Sequence, residues 1–338
     1  MTMPTLRLDA NEGRCLLSQE DLRAILSPEI ARRYPSRSSF EVQLAEKLGV
    51  EPACMLATAG ADDAIDRAAR VLAGPGGLVM STSPGFVEFM AAARRSFAAF
   101  SAVTKDPFGP FPVQQLVDAI KAQRPQLLIL ASPDNPSGVV LERRQLEELA
   151  ETCRMYGTTF IFDATYRDFA DGGAAIADAL ALPGVLVTGS FSKSRGLAGF
   201  RIGYIAGSRE SQPLIAALAE AGPPFSLSSP AIEAGKRALE VPEETVAGFI
   251  EEIRRETALL CSRLRALGCT VSDSQANFVL LKARDVQGLC AELAERGILV
   301  RSWPGKEGYE GLVRITLPGD AEEFSRLTAA IPFMEAYL

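Results

Sequence analysis

Apolar positions along the chain recur with two periods, and the alternation between them predicts the architecture. Over 38–48, Phe40, Leu44 and Leu48 fall on one face of a helix, and Gly49 supplies its stop. Thr58-Ala59-Gly60-Ala61-Asp62-Asp63 opens a second helix whose stripe includes Ile65, Ala68, Ala69 and Leu72. Short apolar runs without helical spacing then read as buried strands over 78–81, 100–103, 127–131 and 158–163, with helices over 87–95, 113–122 and 143–156 between them. A further run beginning at Leu186 breaks at Gly189. Strand and helix alternating at this spacing imply an α/β fold with a mostly parallel sheet covered on both faces. Before it, residues 1–33 read as a polar arm with a helix over 18–33. After it come a helix over 212–220, the kink Gly222-Pro223-Pro224 and helical stretches over 229–267. Strands over 277–281, 298–301 and 312–316 complete a smaller α+β unit.

Composition narrows the function classes. With 35 basic and 42 acidic residues the net charge is −7, which offers no footprint for nucleic acid or an anionic membrane. No apolar run approaches the ~18 residues that span a bilayer, and the first residues are too polar for a signal peptide, so a cytoplasmic protein is expected. The six cysteines are dispersed without metal-ligand spacing and read as reduced thiols. Histidine is absent, which removes the usual general base and the commonest metal ligand. Any proton carrier is then a lysine, tyrosine or carboxylate. A small-molecule partner is expected.

Candidate chemistry concentrates at strand ends. Lys193 follows the strand that breaks at Gly189; a lysine whose charge is disfavoured there captures carbonyls as a Schiff base. Ser190, Ser192 and Arg201 around it suit a phosphate dianion. Carbonyl capture beside phosphate capture points to pyridoxal 5'-phosphate, although a lone lysine in a Ser/Gly-rich loop is more often solvated. Gly60-Ala61-Asp62 places free N–H groups at a helix start, an anion site or simply an N-cap. Asn135, in Asp134-Asn135-Pro136-Ser137-Gly138, either makes a turn or reaches a ring oxygen. Asp163 ends an apolar strand, as an N-cap or as the partner of a pyridinium N–H. Phe86 is a core aromatic or a face for a cofactor ring. Neither a dinucleotide GxGxxG nor a Walker loop is present.

Taken together in order, these segments resemble the class I/II aminotransferases of fold type I, most closely the histidinol-phosphate aminotransferase branch. The resemblance covers nearly the whole chain. It rests on Asp9-Ala10-Asn11-Glu12, Arg33-Tyr34-Pro35, Gly60-Ala61-Asp62-Asp63, Asn135-Pro136-Ser137-Gly138, Asp163 with Tyr166, Ser190-Phe191-Ser192-Lys193, and the run from Gly196 through Arg201 to Tyr204, with Ala276-Asn277-Phe278 and Val313-Arg314-Ile315-Thr316. It implies a pyridoxal-phosphate-dependent aminotransferase working between an amino acid or amino-phosphate and a 2-oxo acid. By resemblance, Lys193 carries the Schiff base and moves the proton. Gly60, Ala61, Asp62, Ser190, Ser192 and Arg201 hold the phosphate, Asp163 meets the pyridinium nitrogen, Asn135 and Tyr166 the 3'-oxygen, and Phe86 the ring. Arg314 would clamp the substrate carboxylate, Arg301 would face a substrate phosphate, and Asn11 would line the substrate side. Tyr34 would reach the neighbouring site of a homodimer. The implied division is an arm and part of the small domain over 1–33, a cofactor-binding domain over 34–240, and a small domain over 241–338. Asn11-Glu12-Gly13-Arg14-Cys15 departs from the family's usual arm, losing an aromatic, and Asp163-Ala164-Thr165-Tyr166 and Arg195 also depart. Pro84-Gly85-Phe86-Val87-Glu88-Phe89 is closer to the threonine-phosphate decarboxylase branch, so a decarboxylase or lyase is the alternative.

Overall fold

The computed structural model describes residues 4–338; residues 1–3 of the arm lie outside the described residues. Eleven strands among these form two sheets. In chain order they are β1 (Leu6–Leu8), β2 (Met55–Thr58), β3 (Leu78–Ser83), β4 (Ala99–Thr104), β5 (Leu127–Ala131), β6 (Thr159–Asp163), β7 (Val185–Ser190), β8 (Gly203–Gly207), β9 (Phe278–Lys282), β10 (Ile298–Ser302) and β11 (Leu312–Thr316). The larger sheet has the order β2-β8-β7-β6-β5-β3-β4. Its strands pair in parallel except β8, which runs antiparallel to both β2 and β7. Strands β5 and β6 are almost wholly buried, as expected where helices cover both faces. One apolar cluster fills each face, one around Phe40, Leu130 and Phe162, the other around Ile65, Ile129 and Ile161.

The smaller sheet runs β1-β10-β11-β9 and packs its own cluster around Phe249, Phe278 and Leu327. The arm contributes to it directly, because Leu6–Leu8 pair in parallel with Ile298–Val300. That strand is only three residues long and alternates buried and exposed, so the polar arm expected from its composition hid it.

The helical stretches expected over 229–267 are Ser229–Glu240 and Glu243–Ala266, divided at Pro242. Three further departures have local causes. The single helix expected over 18–33 is two, Gln19–Ile25 and Pro28–Ala31, because Ser27 caps a new start at Pro28. Strands β2 and β8 went unassigned, since Met-Leu-Ala-Thr and Gly-Tyr-Ile-Ala-Gly are too short to carry a period. Their pairing needs two glycines. A Cβ on Gly189 would lie 2.3 Å from the Tyr204 ring, and one on Gly203 would lie 2.7 Å from the Gly60 carbonyl carbon. Gly203 therefore allows the helix Gly60–Ala68 to start directly against β8, and Gly189 makes room for the Tyr204 ring.

That helix is pinned at its far side by Arg67, a fully buried guanidinium. It makes a two-point pair with Asp63 at 2.9 and 3.1 Å and donates to the Leu218 carbonyl and the Ser226 hydroxyl. Among the described residues no helix is long and apolar enough to cross a membrane. Replacing Arg67 by Ala leaves the partly buried Asp63 carboxylate with only the Ala59 N–H and strips the Leu218 carbonyl of its guanidinium donor. The expected cost is on the order of 3 kcal/mol, read as a lowered urea midpoint at unchanged slope.

Candidate active site

The strand ends β5, β6 and β7 open on one side into a cavity of about 280 Å³ closed from above by β10, β11 and the arm. Lys193, Asp163, Tyr166, Asn135, Ser190, Ser192, Arg201, Ala61, Asp62, Phe86, Asn11, Arg301 and Arg314 all line it. Gly60 sits behind this wall, with φ +80°, where a Cβ would press on the Arg201 guanidinium at 2.8 Å. Tyr34 is not brought to this cavity. It is 83% exposed and stacks on Phe225, ring centroids 4.7 Å apart.

Lys193 lies just past β7 and donates to the Ala10 carbonyl at 3.2 Å. Burial, reinforced by the Arg314 and Arg201 charges and opposed by Asp62 and Glu12, pulls its amine down to about 8. A lysine in that state spends an appreciable fraction of its time as the neutral nucleophile near neutral pH.

At one end of the cavity the donors suit a phosphate. Arg201, held at φ 53° where a non-glycine residue is uncommon, aims its guanidinium back at the start of helix Gly60–Ala68. It pairs with Asp62 at 2.8 Å and approaches the Ser192 hydroxyl at 3.5 Å. The pair with Asp62 is half-exposed on both sides, worth ~0–1 kcal/mol, so a dianion readily displaces it. Ala59, the N-cap, provides no side-chain cap, leaving the first N–H groups of the helix open to a ligand.

Asp163 occupies the middle. Thr165 donates to its Oδ1 from both backbone and hydroxyl, and Thr188 does so from its hydroxyl at 3.1 Å. Its other oxygen has no partner among the described residues. Burial pushes the carboxyl up to about 6 against those hydrogen bonds. A fully buried acid with one occupied and one open oxygen fits a ring N–H donor.

Tyr166 and Asn135 stand beside it. The Tyr166 hydroxyl accepts from Asn11 at 3.0 Å and from Asn135 at 3.3 Å, so its own proton remains free to donate. Burial raises its pKa, with Arg314 and Asn11 opposing, and it stays a phenol at neutral pH. Asn11, at φ 53°, is locked by reciprocal bonds with Thr316, both 3.0 Å.

Arg314, on β11, donates to Asn135 Oδ1 at 2.7 Å and to the Asp9 carbonyl at 2.8 Å. Its Nε is buried without a partner. Burial, with Arg301 adding to it and Tyr166 opposing, draws its pKa down to about 10, so it remains cationic. Arg301 pairs in register with it across β10 and β11.

Several contributors were not singled out from the sequence. The Asp9 and Ala10 carbonyls leave no signal in residue type. Thr165 and Thr188 are common strand-end residues. Lys105, buried in a contact with Asp134, holds the Asn135 loop from below. Trp303 could have been found, as the only tryptophan in the chain, in a loop between two arginines.

The donor set fits one group well: an amine for a carbonyl, a cationic and amide cradle for a phosphate, and an acid for a ring nitrogen. On this sheet and with this lysine, the chain is a pyridoxal-phosphate-dependent enzyme of fold type I. It belongs to the aminotransferase class I and II family, whose pattern matches residues 10–331. It is 31% identical over 335 residues to the histidinol-phosphate aminotransferase of Methylibium petroleiphilum, covering 96% of this chain and 88% of that protein. It is 30% identical over 297 residues to an aromatic amino acid aminotransferase of Streptomyces coelicolor, covering 86% and 79%. The solved histidinol-phosphate aminotransferase of Sinorhizobium meliloti, in complex with pyridoxal-5'-phosphate, superposes with a TM-score of 0.88 at 22% identity over 98% of this chain and 91% of that one.

Two expectations follow. The rate at which cofactor-free protein captures pyridoxal phosphate rises with pH and levels off above about 8, as the Lys193 amine loses its proton; Arg314→Gln, which removes a cation beside that amine, moves the midpoint upward. Asp163→Asn binds the cofactor but loses about 10²–10³ in kcat, the usual effect of deleting one preorganised electrostatic partner.

Proposed function

We propose that this aminotransferase takes its amino group from an amino acid or amino-phosphate and passes it to a 2-oxo acid, as a member close to the histidinol-phosphate branch. The observation that carries this reading is the cross-strand pair of arginines, Arg301 and Arg314, at the mouth of a cavity whose floor is Lys193. Two guanidinium groups side by side suit a substrate with two anionic ends.

When bound, pyridoxal phosphate supplies a carbonyl that accepts the donor's amino group and a ring that withdraws electrons from its α-carbon. Arg201, Ser190, Ser192 and the first amides of helix Gly60–Ala68 hold its phosphate. Asp163 would hold the ring nitrogen's proton, Asn135 and Tyr166 would meet the 3'-oxygen, and Phe86 would pack on the ring. Lys193 Nζ takes the proton from the donor's α-carbon. Arg314 grips the α-carboxylate or the group standing in its place, and Arg301 faces the distal anion, with Asn11 lining the same side. The curated relatives named above favour transamination over the decarboxylase alternative.

We further propose a homodimer in which Tyr34 completes the partner's phosphate cradle. Its exposed stack with Phe225, away from its own cavity, supports this. We propose the division into an arm with part of the small domain over 1–33, a cofactor-binding domain over 34–240 and a small domain over 241–338; the separation into two sheets supports it.

The test is an absorbance scan with pyridoxal phosphate, followed by a panel of amino acids and amino-phosphates. A cofactor band absent in Lys193→Ala, with 2-oxoglutarate-dependent conversion of one donor, supports the reading; carbon dioxide release without amino transfer overturns it. Arg314→Gln should raise KM for the preferred donor by about 10- to 100-fold, the loss of a charge-assisted hydrogen bond. For the dimer, mixing Lys193→Ala with Tyr34→Ala protomers should restore activity that neither has alone, because one site then regains both residues. Absence of recovery after subunit exchange counts against the crossing.

A further inference from the structure

The strand pair β10–β11 carries an unbalanced load of charge. Arg301 and Arg314 are directly opposed, an arrangement that is unfavourable for like charges. Neither forms a salt bridge among the described residues, and the same holds for Lys306 in the loop between them. Arg314 has its hydrogen bonds to Asn135 and the Asp9 carbonyl and lies 5.2 Å from the Phe278 ring centroid, and all three cations also stand by the rings of the intervening loop. The Arg301 and Arg314 guanidinium groups lie 5.8 and 5.7 Å from the Trp303 ring centroid, and the Lys306 ammonium lies 4.4 Å from that of Tyr309. The two rings pack on each other at 5.3 Å.

Tyr309 has a second tie. Its hydroxyl accepts from the Gly85 N–H at 2.8 Å and donates to the Gly85 carbonyl at 2.6 Å. Gly85 immediately precedes Phe86, on the cofactor side of the cavity. Packing of Tyr309 with Leu280 and Leu312 explains why the ring is buried, but not why its hydroxyl is spent on the cofactor-side loop or why three cations without a salt bridge gather by the two rings.

We propose that Trp303 and Tyr309 are positioning residues for substrate recognition: the indole holds Arg301 and Arg314 as a pair that reads a donor with two anionic groups, and Tyr309 fastens that indole to the loop carrying Phe86. The proposal rests on the aminotransferase reading above and deepens it. A dianionic donor relieves the repulsion between the two guanidinium groups, whereas a monoanionic donor engages only one. The strap over 303–309 thereby links the substrate side of the cavity to the cofactor side without touching the reacting atoms.

Because Trp303 is the only tryptophan, its emission reports on the strap directly. Cofactor-loaded enzyme is titrated with succinate, inorganic phosphate and acetate. A saturable change with succinate or phosphate, weaker with acetate and lost in Arg301→Gln, is expected, and the two dianions separate carboxylate from phosphate recognition. An emission unmoved at concentrations that competitively inhibit turnover overturns the proposal. In steady-state kinetics, Tyr309→Phe should raise KM for glutamate by about tenfold more than KM for alanine, with kcat little changed. Trp303→Leu should do the same, and Trp303→Phe should recover part of the difference. Equal changes for both donors, or none, reduce the strap to packing. A wild-type protein with no cofactor band would instead sink the aminotransferase reading itself, so the two failures are distinguishable.

Discussion

Desolvation of charge at the carboxyl ends of β6 and β7, and on β11 facing them, is the constraint on which the site depends. Lys193, Asp163 and Arg314 are each taken from water, and each is shifted toward its neutral form chiefly by that burial. A buried, partly partnered charge is costly unless something pairs with it. The fold holds these groups in place through elements whose stability lies elsewhere: the apolar faces of the large sheet, and the Arg67–Asp63 pin on the helix that opens the phosphate end.

The two sheets divide the labour. The larger one supplies strand ends and a helix start, and so the groups proposed to meet the cofactor. The smaller one supplies Arg314 and Arg301 on adjacent strands, the groups proposed to meet the substrate. Asn11, Asn135, Tyr166 and Arg314 form the seam: a hydrogen-bonded chain running from the arm, across Tyr166, to β11. A shift of one sheet against the other is felt at Tyr166 and Asn135 together.

Much of this was legible in the sequence, for reasons that differ by residue. The parallel strands β5 and β6 announce themselves as continuous apolar runs, and Lys193, Asp163 and Arg201 are conspicuous because charge at such a strand end is rare. Strands β2 and β8 were invisible because four or five residues carry no period, and β1 because its pairing partner lies almost three hundred residues away. The helix break at Pro28 was missed for a simpler reason: apolar spacing continues across it while the backbone cannot. Tyr34 belongs to a further category, since one chain alone gives it no ligand to meet.

The arm's part in the site is written in main-chain atoms. Lys193 and Arg314 address the Ala10 and Asp9 carbonyls, just beyond the point where β1 is set in register by β10. Side chains at 9 and 10 can therefore drift without moving either acceptor, while a single insertion or deletion between Leu8 and Asn11 displaces both at once. Length matters on this stretch before side-chain identity does, so an arm that continues as Asn11-Glu12-Gly13-Arg14-Cys15 still closes over Lys193.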